Sequence, residues 1–367
     1  MGRSRSLCLL LAACLSAAAM AQTPPSAPAP GRRAPPTRPA AADAWKTVRL
    51  HGQDFVDLRE VAEKFGAKAE WTAPGRKLTL RLGREQTIAF EIDERDCHLN
   101  GVRLFLSEHV VAHRDSLWVA RLDLLKTLAP LLRPADQTLL WPQPPRLIVL
   151  DAGHGGTDTG KHNARLKLSE KDMTLDVVLR LQKLLEARGY RVLLTRKDDT
   201  RFASNPIVDL QRRADFANKA VADLFLSIHF NAVEPRDAQR VDGSETYVLT
   251  PRGMLSTSDD KKDELTDVNF PGNRFDLPNV LLGYHLHRQL VAHLQTADRG
   301  YKRARFAVLR FVECPAALVE AAYLSHDEEA ARVAKPAFRQ EIAEAIALGV
   351  DRYAEALRAL HAPRGGP

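Results

Sequence analysis

Residues 146–160 read RLIVLDAGHGGTDTG. After Arg146, the run Leu147-Ile148-Val149-Leu150 is apolar at successive positions, as in a strand covered on both faces. It opens directly into Asp151, Gly153, His154, Gly155 and Gly156. In open α/β sheets, function gathers beyond the carboxyl ends of the strands, so this turn marks one end of the molecule for inspection. Working outward, Pro142, Pro144 and Pro145 form a boundary before the strand. After it the periodicity alternates. Helical spacing covers Glu170 to Arg188, Leu210 to Ala220, about Asn279 to Leu294, and Pro336 to Leu360. Strand patterns cover Val192–Leu194, Leu224–Ile228, Thr246–Leu249 and Ala317–Val319. Residues 146–360 are therefore expected to form an α/β domain, a sheet with helices on both faces.

Three of these strands deliver an ionisable residue at the same end: His154, His229 and Glu320. Glu170 sits in the first turn of a helix, where a carboxylate suits the helix dipole, and Ser169 with Asp172 resembles a capping box. Two histidines and a glutamate are the ligand type of catalytic zinc sites, which leave a fourth position for water. Zinc would lower the pKa of that water to about 7 and polarise a carbonyl. Glu320 could then carry the proton. Each residue alone has a plainer reading. A histidine after a strand is commonly solvated, Glu170 serves the helix, and a buried Glu320 would be ion-paired. Asp151 is either a turn residue or the acceptor behind His154. The argument rests on their convergence at one end of one sheet.

The chain has 367 residues, 45% hydrophobic and 27% charged, which excludes wholesale disorder and allows two domains. Lys and Arg number 53 against 46 Asp and Glu, a balance of +7. No basic run interleaved with aromatics accompanies it, so nucleic acid is not an expected partner. The N-terminus, MGRSRS then LCLLLAACLSAAAMA, has the layout of a signal peptide ending at Ala21. Leu11-Ala12-Ala13-Cys14 resembles a lipobox, but the stretch from Leu15 to Met20 stays apolar, which favours simple cleavage over lipid anchoring through Cys14. An exported location, periplasm or cell envelope, with no spanning helix after cleavage, is the expectation. Cys97 and Cys314 then remain, too few for a disulfide framework. Residues 22–43 are a Pro/Ala-rich linker.

Residues 45–141 read as a small α+β domain. Phe55–Leu58 is a short strand, and Leu58, Val61, Ala62 and Phe65 have helical spacing before Gly66. Lys77–Leu82 and Thr87–Ile92 alternate as strands, Asn100-Gly101 signals a hairpin, and Leu117–Val119 before Leu122, Leu125 and Leu128 echoes the first unit. The domain resembles the copper-amine-oxidase-N-like modules of secreted bacterial proteins. It shows no clustered His or Cys for copper, and a spacer or wall-associated role is expected.

From Leu147 to about Tyr353 the chain resembles the zinc-dependent N-acetylmuramoyl-L-alanine amidases. The segments that carry the likeness are IVLDAGHGGTDTG, SEKDMTLDVVLRLQKLLEARGYRVLLTR, LQRRADFANKAVADLFLSIHFNA, GSETYVLT and CPAALVEAAYLSHDEE. The resemblance implies a mixed twisted sheet of phosphorylase/hydrolase-like type and one zinc per chain. It also implies cleavage of the amide between the lactyl group of N-acetylmuramic acid and L-alanine, with peptidoglycan as substrate and an activator protein as a further partner. His154, Glu170 and His229 match the zinc ligands, and Glu320 the catalytic glutamate. Two departures stand out. His162-Asn163-Ala164-Arg165-Leu166-Lys167 replaces the small residues usual before the ligand glutamate, and Glu320-Ala321-Ala322-Tyr323-Leu324-Ser325 replaces the usual Glu-x-Gly-Phe-Leu-Ser.

Other residues carry weaker expectations. Asn231, Arg303 and Arg305 are candidate substrate contacts, the arginines as partners for stem-peptide carboxylates. His162 lacks partner spacing for a ligand, and His285, His287 and His293 read as packing or surface. The polar segment 251–278 is a candidate lid over the site, though a passive loop reads better. Two other functions stay open: a zinc peptidase cutting within the stem peptide, and a non-catalytic cell-wall-binding protein.

Overall fold

The computed structural model describes residues 45–137 and 141–362. The signal peptide, the linker and Cys14 lie outside the described residues. Seven strands position the site. β1 is Val102–Phe105, β2 Leu147–Ala152, β3 Arg191–Leu194, β4 Leu224–Asn231, β5 Ser244–Leu249, β6 Asp298–Ala304 and β7 Ala316–Tyr323. They lie in the order β3-β2-β4-β7-β5-β6-β1, and the strands Asp96–Leu99, Gln86–Glu91, Lys77–Leu82 and Ala67–Ala73 continue the same sheet to 11 strands. β3, β2, β4 and β7 are mutually parallel, whereas β5 runs antiparallel to β7 and parallel to β6. The sheet is thus mixed. This reversal decides which residues share the site.

Helices cover both faces because the strand residues alternate between two cores. Ile148, Leu150, Leu226, Ile228 and Val319 join Val177, Leu181, Leu286, Ile346 and Val350. These come from α1 (Glu170–Ala187), α3 (Asp276–Leu294) and α4 (Pro336–His361). On the other face, Val149, Phe225 and Leu318 join Ala214 and Ala217 of α2 (Pro206–Lys219), with Val308 and Leu309. α2 starts four residues before the helical pattern suggests. Asn205 caps it by accepting from the amides of Ile207 and Val208, with Pro206 in the first turn.

The N-terminal module shares its buried core with the larger α/β part rather than standing apart. Its Leu78, Leu80, Ile88, Leu104 and Leu128 belong to the same buried cluster as Ile148 and Leu226. β1 pairs with β6 through Leu104 and Tyr301. Arg303 is buried at this junction, bonded to Thr127 and to the Phe105 carbonyl and facing Asp123. Arg95 of the module donates to the carbonyls of Ser256 and Asp259.

One sequence expectation is corrected here, and the lid alternative for 251–278 is set aside in favour of the passive loop. Arg303 and Arg305 lie at the far end of β6, beside Val248 and the 254–256 turn, because β5 and β6 run against β7. Arg303 serves the junction with the module and Arg305 is bonded to Met254 and Ser256, away from the end of the sheet that carries His229 and Glu320. The segment 251–278 follows the same far end of β5 and is bonded to the module, so it does not form a lid over that site.

Candidate metal centre

Three local features bring His154, Glu170 and His229 together. The GHGG turn leaves β2 with His154 in the left-handed region, φ 64°. Such a backbone costs a non-glycine residue roughly 1 kcal/mol or more and persists only when its surroundings hold it. Two buried arginines do so. Arg213 donates to the carbonyls of Ala152 and His154, and Arg196 to those of Ala152 and Gly153. Asp151 accepts from Arg213, Thr195 and Ser227. Asp151 therefore anchors the loop through Arg213 and does not touch the His154 ring.

Glu170 opens α1. The capping box is not formed: Ser169 makes no side-chain cap, and its hydroxyl instead lies 3.3 Å from His162 Nδ1. The first amides of α1 donate to the carbonyls of Lys161 and Thr159. This leaves the Glu170 carboxylate free to turn toward the histidines. Its Oε1 lies 3.0 Å from His154 Nε2 and 3.1 Å from His229 Nδ1, and it accepts from the Phe230 amide. His229 stands at the end of β4, in register with Glu320. Two glycines make room. A Cβ on Gly153 would sit 2.3 Å from the His229 ring, and one on Gly160 would sit 2.6 Å from Glu170 Oε2.

The electrostatics follow from burial. Burial opposes the charge on His154, but Glu170 and Asp158 outweigh it and raise its pKa to about 10. Glu170 is held well below the usual carboxylate range by the two histidines despite its burial. Asp158, bonded to His154 Nδ1 at 3.0 Å, falls to about 2. Sequence reading missed Asp158. Its signal was the spacing from His154, which here closes a tight turn through Gly155 and Asp158.

Among the described residues, His154, Glu170 and His229 form the one group of three His, Cys, Asp or Glu whose ligand atoms lie within 4.8 Å of one another. A tight triad of two imidazoles and a carboxylate fits a divalent cation. A second observation agrees: Glu320 is 1% exposed, and its Oε2 is buried with no hydrogen-bond partner. Burial, then the charges of Glu170 and Glu245, push its carboxyl well above the usual range.

Behind Glu320 stands a group that sequence reading also missed. Glu245 faces Glu320 across β5 and β7. It accepts from Lys302, Arg299, Tyr247, Tyr323 and Asn231. Asn231 is thereby committed to this buried network, at 2% exposure, rather than open to a substrate. His162 is exposed and stands outside the triad. His287 is buried between Thr246 and Asp298. No described helix is long and apolar enough to cross a membrane.

Residues 148–352 match the family model described as N-acetylmuramoyl-L-alanine amidase, and residues 40–126 match that of the copper amine oxidase N-terminal domain. Among similar proteins, N-acetylmuramoyl-L-alanine amidase AmiC of Escherichia coli O6:H1 is 32% identical over 230 residues, covering 57% of this chain and 53% of the relative. AmiA of Escherichia coli K12 is 31% identical over 230 residues, covering 57% and 76%. LytC of Bacillus subtilis is 32% identical over 206 residues, covering 56% of this chain and 35% of LytC. This chain thus spans about half of AmiC and about a third of LytC. The solved structure of AmiC2 of Nostoc punctiforme is 29% identical, with a TM-score of 0.45, covering 57% of this chain and 97% of that one.

Proposed function

Since the chain belongs to the N-acetylmuramoyl-L-alanine amidase family, matched over more than half its length, we propose that it hydrolyses the amide between the lactyl group of N-acetylmuramic acid and L-alanine in peptidoglycan. His154, Glu170 and His229 would hold one zinc. Zinc in such a site polarises a carbonyl and lowers the pKa of a water to about 7. Glu320 takes a proton from the attacking water and returns it to the departing amine of L-alanine. Its buried, unpartnered Oε2, on the residue in register with His229, is the observation that carries this reading. Burial and the neighbouring negative charges raise the pKa of this carboxyl, which makes its ionised form a stronger base toward the water. Asp158 fixes the His154 ring through Nδ1, leaving Nε2 toward the centre. The signal-like N-terminus would carry the enzyme to the periplasm or cell envelope.

Elemental analysis of purified residues 22–367, with digestion of purified peptidoglycan alongside, tests the proposal. One zinc per chain and release of whole stem peptides with a free L-alanine amine are expected. Cleavage inside the stem peptide would turn the reading to a peptidase. A folded sample that binds no zinc would leave a wall-binding protein.

A further inference from the structure

The segment that departs most from the family pattern, Lys161 to Ser169, folds as a hairpin fastened to both halves of the candidate centre. We propose that this hairpin is the peptide-side wall of the site and that Lys161 and Lys167 bind a carboxylate of the stem peptide; the inference rests on the hydrolase reading above.

The hairpin pairs His162 with Ser169 and Asn163 with Leu168. Its base is bonded to the ligand glutamate in both directions. The Lys161 amide donates to Glu170 Oε2 at 2.8 Å, and the Glu170 amide donates to the Lys161 carbonyl at 2.8 Å. Its middle is fixed to the residue that follows the strand carrying Glu320. Asn163 is buried, donates to the Leu324 carbonyl at 2.9 Å, and accepts from the Leu166 amide. Arg165 closes the far side on Asp327, at 3.2 Å to the carboxylate and 3.1 Å to the carbonyl. The hairpin therefore bridges the start of α1 and the end of β7 and is held at three points.

Its charge is one-sided. Residues 159–169, TGKHNARLKLS, contain no acid. Arg165 is used by Asp327, whereas Lys161 and Lys167 have no carboxylate partner among the described residues. Lys161 is half-buried and Lys167 exposed. Lys167 also adopts φ 53°, a left-handed backbone that a glycine would take at no steric cost. A strained tip that presents a cation is an observation from which function can be inferred. Several cations around the centre are engaged: Lys171 with Asp199, Arg299 and Lys302 with Glu245, Arg196 and Arg213 with loop carbonyls, and Arg201 with the Ser204 carbonyl. Stem peptides are rich in carboxylates close to the scissile amide. Lys161 and Lys167 belong to the hairpin that is bonded to Glu170 and Leu324, whereas Arg303 and Arg305 lie at the opposite end of the sheet.

The test uses two soluble muropeptides that differ in one group: the second stem residue carries either a free carboxylate or a carboxamide. Zinc-loaded full-length protein, Lys161→Gln, Lys167→Gln and the double variant are compared by kcat/KM at low and moderate salt. Wild type is expected to favour the carboxylate about fivefold, the scale of one or two exposed ion pairs. The preference should reside in KM and shrink with salt. The double variant should bring the ratio to about one, and Lys167→Glu should invert it, with zinc content kept throughout. An equal rate of wild type on both substrates, or a double variant that keeps the preference, overturns the inference and leaves the hydrolase reading standing. Failure of zinc-loaded wild type to cut either substrate overturns both.

Discussion

Glu320 and Glu245 stand directly opposite each other on antiparallel neighbours, both out of solvent, and they have opposite surroundings. Glu245 receives five donors, two of them cationic, and the charge of Lys302 holds its carboxyl at about 2 despite burial. Glu320 has an orphaned oxygen, and burial, with the charges of Glu170 and Glu245, pushes its carboxyl well above the usual range. A fixed negative charge thus sits behind the residue proposed to shuttle the proton. Pairs of carboxyls whose environments push their pKa values apart are a recurrent sign of acid–base division of labour.

Replacing Glu320 with Gln removes the proton carrier and leaves the triad intact. Turnover should fall by roughly 10²- to 10⁴-fold, with zinc content unchanged by elemental analysis. The apo variant should melt no lower than wild type, because a poorly solvated carboxyl is replaced by a neutral amide. Turnover within tenfold of wild type would end the role assigned to Glu320.

Gly153 is a steric requirement of the His154–Glu170–His229 triad rather than a backbone one. An added methyl would meet the His229 ring at 2.3 Å, so Gly153→Ala must displace a ligand. Metal affinity should drop about 10- to 100-fold, read by competition with a chromophoric chelator, while far-UV circular dichroism stays native. Unchanged affinity would show that the ring can yield.

Glu329 ties the start of β5 to the end of β7 by accepting from the amides of Gly243 and Tyr323. Burial raises its pKa from 4.5 to about 7, against the pull of those two amides. The folded state therefore keeps a proton that the unfolded state has released. Its contribution is fully present below about pH 4.5 and is lost as pH rises through about 7, on the order of 3 kcal/mol in all. Urea unfolding of wild type minus Glu329→Gln should show this slope across pH 4.5–7. A flat difference would remove Glu329 as its source.

The buried Arg303 joins the two domains through Thr127, Phe105 and Asp123. Arg303→Ala removes the larger of the two cationic influences on the buried Asp123, Arg303 and Arg95, and the bonds to Thr127 and Phe105, at a cost of about 3 kcal/mol. Calorimetry of the wild-type chain should give one unfolding transition, lowered by several degrees in the variant. Two separate transitions in wild type would mean that the module and the α/β part unfold independently.

Local pattern sufficed for much of this protein. Apolar runs marked β2, β4 and β7, and helical spacing marked α1 and α4. His154, Glu170, His229 and Glu320 were legible because each directly follows, or lies within, such an element. The small module could be read from its alternating strands and Asn100-Gly101 turn. What local pattern does not contain is the direction of a strand within the sheet. Alternation places Arg303 and Arg305 on a face, but only the antiparallel pairing of β5 with β7 sends them to the far end. The same pairing brings Glu245 opposite Glu320, and Arg299 and Lys302 onto Glu245, across sequence separations of 54 and 57 residues. Ser169 shows the limit from the other side: a capping pattern was present, yet carbonyls of Thr159 and Lys161 took the helix amides. Periodicity reports which face of an element is apolar, a property of neighbouring residues. Strand direction, the buried acid network and the union of the two domains depend on contacts between distant residues, whose free energy exists only once the chain has closed around them.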